Sequence, residues 1–190
     1  MNKLNIKDFL SDNPKIKYPA TKKAILLSQE NPAGLYSDFD FFEEMLQNDN
    51  KILKWTAIQV LGNLSKVDKK GKIDRIVPIL ISFLNDKTMI TAANSIRALA
   101  EIAANKPKYQ EKILEELLKV EKAKYYIKGK LSPECRNVAI GQVVNSLEKF
   151  REPVYNREDV RAFLKRQTKN TRPKVKKSAE NLLLKIKNNK

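Results

Sequence analysis

The sequence predicts an all-α fold, an α/α superhelix of about four to five helical hairpins, and three observations carry that prediction. Apolar residues recur at helical spacing along nearly the whole chain, whereas β-branched residues never gather into alternating runs, and only 5 glycines occur in 190 residues. Segments about 37 to 38 residues apart align with one another, which is the period of a helical solenoid. The joints between segments carry helix caps and breakers in the order that helix starts and stops require.

In chain order, Ala20, Ala24 and Leu27 form one apolar stripe and predict a helix over 18–29. After a break from Asn31 to Gly34, Phe42, Met45 and Leu46 form its partner over 38–48. Asn50 stands as N-cap to a helix over 51–65, and a break from Asp68 to Gly71 separates it from a helix over 72–84. The next pair covers 88–104 and 108–121, with Asn105 to Pro107 between them. Laying LGNL at 61–64 on LAEI at 99–102 brings Ile52 onto Ile90, Ile58 onto Ile96 and Val60 onto Ala98, an offset of 38. The second helices agree at an offset of 37, with Ile76 on Ile113, Val77 on Leu114, Leu80 on Leu117 and Ile81 on Leu118. Ser132 before Pro133 and Glu134 reads as the cap of a helix over 133–149. Beyond a break from Arg151 to Asn156, Val160, Phe163 and Leu164 predict a helix over 157–168. Thr171 before Pro173 opens the last helix, over 172–187, whose Val175, Ala179, Leu182 and Ile186 repeat Val138, Ala139, Val143 and Leu147.

This spacing, the paired amphipathic helices and the phrases KILKWTAIQVLGNLS and RPKVKKSAENLLLKI resemble HEAT repeats over residues 15 to 188. The resemblance implies one domain over 1–190, with repeats at 15–48, 50–85, 86–122, 132–168 and 171–188. It further implies that the second helix of each hairpin lines a concave groove that grips a partner. A repeat pattern of this kind records packing between neighbouring hairpins, so it speaks for architecture and not for the ligand.

Composition narrows the function classes. Cys135 is the only cysteine, so no intrachain disulfide forms, and the chain has no histidine, the commonest metal ligand and proton shuttle. No metal or other cofactor is expected. The longest near-continuous apolar run, Ile76 to Leu84, contains Pro78 and Ser82 and falls far short of the roughly 18 residues that span a bilayer. The opening MNKLNIKDFLSDNP lacks the build of a secretory signal, so a cytoplasmic protein without membrane partners is expected.

The net charge of +16 is polarised along the chain. Residues 1–50 hold 6 basic and 8 acidic side chains, and residues 151–190 hold 13 basic and 4 acidic. Five of the eight arginines, Arg151, Arg157, Arg161, Arg166 and Arg172, fall in that last stretch, beyond what a lysine-rich composition accounts for.

The candidate partner-binding residues follow this gradient. Arg157, Arg161, Lys165 and Lys169 recur every four residues and share one face of the helix over 157–168, opposite Val160, Phe163 and Leu164. Such a stripe is either a contact for phosphates or a solvated helix face. Arg172, Lys174, Lys176 and Lys177 extend it to the start of the last helix, where cations oppose the helix dipole. In KAKYYIKGK, Lys122, Lys124, Lys128 and Lys130 interleave with Tyr125 and Tyr126. These residues either present stacking and basic groups to a nucleic acid, or continue the preceding helix to Ile127 over a packed tyrosine. The carboxylates of DFDFFEEM, Asp38, Asp40, Glu43 and Glu44, fit the first turns of a helix better than an acid and base pair; an acidic end meeting the basic end of another copy is the alternative. Trp55 and Cys135 read as packing residues.

Enzymatic readings that attach to HEAT-like solenoids fail on residues. DNA glycosylases of this architecture use an aspartate beside tryptophans lining a basic groove, but here the lone Trp55 is followed by Gln59 and no aspartate stands beside a second tryptophan. Metal-dependent relatives resembling deoxyhypusine hydroxylase need histidine–glutamate pairs, and no glycine loop to cradle phosphate is present. The expected function is therefore a non-catalytic scaffold that holds an acidic or helical segment of another protein in its groove. The alternative is nucleic-acid binding without sequence preference by the basic C-terminal hairpins.

Overall fold

A computed structural model describes residues 4–150 and 156–188. Its helices are α1 (Lys7–Leu10), α2 (Pro14–Glu30), α3 (Pro32–Leu35), α4 (Phe39–Met45), α5 (Lys51–Leu64), α6 (Ile73–Ser82), α7 (Met89–Asn105), α8 (Gln110–Lys119), α9 (Pro133–Ser146), α10 (Glu158–Gln167) and α11 (Pro173–Asn188). The fold is an all-α solenoid. Among the described residues, the only strands are β1 (Tyr126–Ile127) and β2 (Lys130–Leu131), paired antiparallel with Tyr126 opposite Leu131.

Local chemistry sets the helix starts. The Asn50 side chain accepts from the Ile52 and Leu53 N–H groups at the head of α5, and Ser132 Oγ accepts from Cys135 N–H at the head of α9. Asn13 caps α2, which begins a turn earlier than the periodicity predicts and carries Pro19 within it. The break expected at Asn31 to Gly34 contains the single turn α3, held by Asn31 Oδ1 accepting from Gly34 N–H. The break expected from Arg151 to Asn156 lies, except for Asn156, outside the described residues.

The elements form two rows. Helices α2, α5, α7, α9 and α11 pack in succession, each against the next. Helices α4, α6, α8 and α10 form the other row, in which no two helices come comparably close; long side chains bridge them instead. Arg75 of α6 holds Asp40 at 2.7 Å and Glu43 at 2.5 Å, Lys108 holds Asp74 at 2.7 Å, and Arg166 of α10 holds Glu121 at 2.8 Å. One hydrophobic core runs between the rows from Leu4 to Ile186.

Small residues explain why the first row is the tight one. A Cβ on Gly62 of α5 would lie 2.8 Å from Ala98 Cα of α7, and a Cβ on Gly141 of α9 would lie 2.9 Å from Val175 Cγ2 of α11. The crowded row of a curved stack lies on its inside and the splayed row on its outside. On that geometric ground we read the row carrying Gly62, Ala98 and Gly141 as the inner one, in place of α4, α6, α8 and α10, which were expected to line the concave side.

The segment 122–131 is also corrected. Helix α8 does not run to Ile127; it ends in a 3-10 turn at Val120–Lys122, and a hairpin follows. Lys128 (φ 49°) and Gly129 (φ 77°) form its left-handed two-residue turn. The packed-tyrosine part of the expectation holds for Tyr125, which is fully buried and donates its hydroxyl to the Leu84 carbonyl at 2.8 Å; Tyr126 is exposed.

Candidate partner-binding groove

Helices α5 and α7 of the inner row are mostly buried, and each presents a polar face. In α7, every residue from Thr91 to Ala100 is buried except Arg97. In α5, Gln59 and Asn63 are the half-buried positions between Ile58 and Leu64, and they align with Arg97 and Glu101 at the repeat offset. Each is four residues from its fellow, so each pair shares one helix face.

These residues converge. Gln29 of α2, Gln59 and Asn63 of α5, Arg97 of α7, and Gln142 and Asn145 of α9 line one depression of about 260 Å³ that crosses four successive helices. The depression therefore runs across the row and not along a single helix. A second, of about 460 Å³, lies between α9 and α11 and is lined by Asn145, Ser178 and Asn181. A third lies beside Gly141, Arg172 and Lys174, and Asn145 lines all three, so the depressions adjoin one another between α2 and α11.

Hydrogen bonds across the row fix its floor. Asn63 Nδ2 donates to Ser28 Oγ at 2.8 Å, tying α5 to α2. Trp55 Nε1 donates to Thr91 Oγ1 at 3.0 Å, tying α5 to α7, so the lone tryptophan packs between helices as expected. Lys149 pairs with Glu101, tying the end of α9 to α7, and burial holds the Lys149 ammonium below its usual pKa. Charged side chains in the central depression are Arg97, Glu101 and Lys149, so its lining carries one net positive charge. Amides dominate it.

The basic residues singled out in the sequence do not assemble into one site. Arg157 is held by Asp159 at 2.7 Å and by Glu111 of α8 at 3.3 Å, and these carboxylates raise its pKa. Arg161 donates to the Asn156 carbonyl, while its buried Nε has no hydrogen-bond partner among the described residues. Both lie on the outer row with Lys165 and Lys169, which are exposed and have no ion-pair partner among the described residues. Arg172 pairs with Glu134, and Lys174 is exposed at the rim; these two reach the groove, at its C-terminal end. Lys177 is exposed on α11, and Lys124, Lys128 and Lys130 are exposed on and before the hairpin. The acidic cluster is structural: Phe39 and Phe42 are buried, and Asp40 and Glu43 hold Lys72 and Arg75.

Sequence reasoning passed over Gln29, Gln59, Asn63, Arg97, Gln142 and Asn145. The available signal was a polar residue recurring at an equivalent repeat position within an apolar helix, as Gln59 and Arg97 do. Among the described residues no group of three or more His, Cys, Asp or Glu could hold a metal, and no helix is long and apolar enough to cross a membrane.

No protein-family model matches the chain, and no curated protein matches it. Solved structures do. Three crystal structures of engineered proteins from the Northeast Structural Genomics Consortium superpose with TM-scores of 0.63, 0.58 and 0.52, each at 16% identity. The chain is covered over 98%, 95% and 99% of its length, and it spans 80%, 46% and 100% of those proteins. At that identity the likeness is one of fold.

Proposed function

We propose that this chain is a non-catalytic scaffold that binds a segment of another protein in the concave groove of its inner helices. The observation that carries this reading is the lining, half of whose residues are amides, contributed by α2, α5 and α9. Each amide offers both a donor and an acceptor, which is what the main chain of an extended polypeptide requires. A helical ligand has its own backbone bonds satisfied and makes little use of such amides, so the lining favours an extended segment.

Asn145→Trp fills the point where the three depressions meet without touching the core. It is expected to abolish enrichment of peptides from a displayed random library, whereas Lys165→Glu on the outer row keeps it. The opposite pattern sinks this reading.

A second reading, phosphate-backbone binding at the C-terminal edge, draws on Lys165, Lys169, Lys174 and Lys177, which are exposed and have no ion-pair partner among the described residues. Fluorescence anisotropy with duplex DNA over a salt series tests it: the double change Lys165→Glu and Lys177→Glu should flatten the salt dependence. An absence of binding at low salt eliminates it. The groove comes first because its geometry is built by five elements together, whereas these lysines are dispersed over two.

A further inference from the structure

The centre of the groove holds a cation with no acidic partner among the described residues, and we infer that Arg97 reads a carboxylate on the bound segment. This inference rests on the groove being the binding site.

Arg97 projects from α7, the middle helix of the inner row, between the amides of α5 and those of α9. It is anchored from below. Asn94 is 3% exposed, and its Nδ2 donates to the Ile90 carbonyl at 2.9 Å, which turns Oδ1 to accept from Arg97 Nη2 at 2.7 Å. One N–H of the guanidinium is thereby held, on a side chain that lines the groove. A planar donor fork held this way matches a carboxylate bidentately.

Four other arginines are satisfied differently. Arg75, Arg157, Arg166 and Arg172 each hold a carboxylate of the same chain. Arg97 has such a carboxylate available in Glu101, four residues on and on the same face. Yet Glu101 is drawn across to Lys149 in the turn after α9, leaving Arg97 with an amide as its partner. The same pairing neutralises the nearest like charge that an incoming carboxylate would meet. A single anchored cation flanked by amides fits one acidic side chain on an extended peptide; a run of phosphates would need a row of cations, and the central lining does not supply one.

Peptide selection from a random library displayed on phage tests this with immobilised wild type, Arg97→Gln and Arg97→Glu. Wild type is expected to enrich Asp or Glu at one fixed position. Arg97→Gln should still enrich peptides but lose that acidic position, and Arg97→Glu should place Lys or Arg there. A synthetic peptide carrying the wild-type consensus should bind Arg97→Gln about tenfold more weakly, with the thermal melting of the protein unchanged. An acidic position retained in all three proteins, or absent from the wild-type consensus, overturns the inference and leaves the groove reading in place. Failure of the wild type to enrich any peptide overturns both.

Discussion

Asp68 shows how much of this solenoid depends on single polar residues at the joints. It is 3% exposed, yet its carboxylate accepts from Tyr36 Oη at 2.5 Å, Lys72 N–H at 3.0 Å and Ile73 N–H at 3.2 Å, with the Lys106 ammonium at 3.6 Å. It therefore starts α6 and joins α3, α6 and the end of α7 at one point. Burial alone would push its carboxyl up, but the Tyr36 hydroxyl, the two backbone N–H groups and the Lys106 charge outweigh it and hold the group below the usual aspartate value. A depressed folded value means the stabilisation is complete at neutral pH and is lost as pH falls through and below about 4. Tyr36 is the mirror case: burial and the hydrogen bond to Asp68 push its hydroxyl up to about 12. Its contribution is present below the ordinary tyrosine value near 10 and is lost as pH rises toward the folded one. Urea unfolding should show Tyr36→Phe costing about 1–2 kcal/mol at pH 7 and Asp68→Ala costing about 2–4 kcal/mol. Asp68→Ala should also weaken the acid-side fall in stability; an unchanged acid profile would assign that fall to other carboxylates.

At the scale of elements, the inner row depends on two close approaches of unequal hardness. A methyl on Gly62 meets the Ala98 backbone, which cannot yield without moving α7, whereas a methyl on Gly141 meets the tip of Val175. Both changes gain helix propensity of about 1 kcal/mol. Gly62→Ala is expected to lose net stability by about 1–2 kcal/mol, because overpacking outweighs that gain. Gly141→Ala should be near neutral, and equal losses at the two sites would contradict the packing described. Long amphipathic helices were the part of the fold readable in advance. The helices expected over 51–65, 88–104 and 172–187 match α5, α7 and α11 to within a residue or two, since their stripes and caps are local signals. Elements stabilised by distant contacts were not readable. Helix α1 exists because Phe9 is buried edge-on against Phe41 and Phe42, and the hairpin is held by Tyr125 reaching Leu84 and by Tyr126 N–H reaching the Lys87 carbonyl. Neither partner is near in sequence.

For the whole molecule, the decisive property is which row of helices lies inside. Periodicity establishes that there are two rows but is symmetric between them, and a resemblance to HEAT repeats fixes the inner one only once the hairpins are phased. The close approaches at Gly62 and Gly141 break that symmetry, and with it the proposed site lies not on the charged stripe of α10 but on the amides of α2, α5 and α9 around Arg97 of α7. Charge drew attention to the stripe because it is conspicuous in a sequence of net charge +16, yet Arg157 and Arg166 of that helix are taken up by α8 and the turn after it. Amides carry no charge and emerge as a set only when four helices are aligned. The most direct test is a heteronuclear NMR titration with a peptide selected by the wild-type protein. Side-chain and backbone amide shifts at Gln59, Asn63, Gln142 and Asn145, together with the Arg97 guanidinium signal, are predicted to move while those of Lys165 and Lys169 stay in place. Shifts clustered on α10, with the inner row silent, would contradict the account.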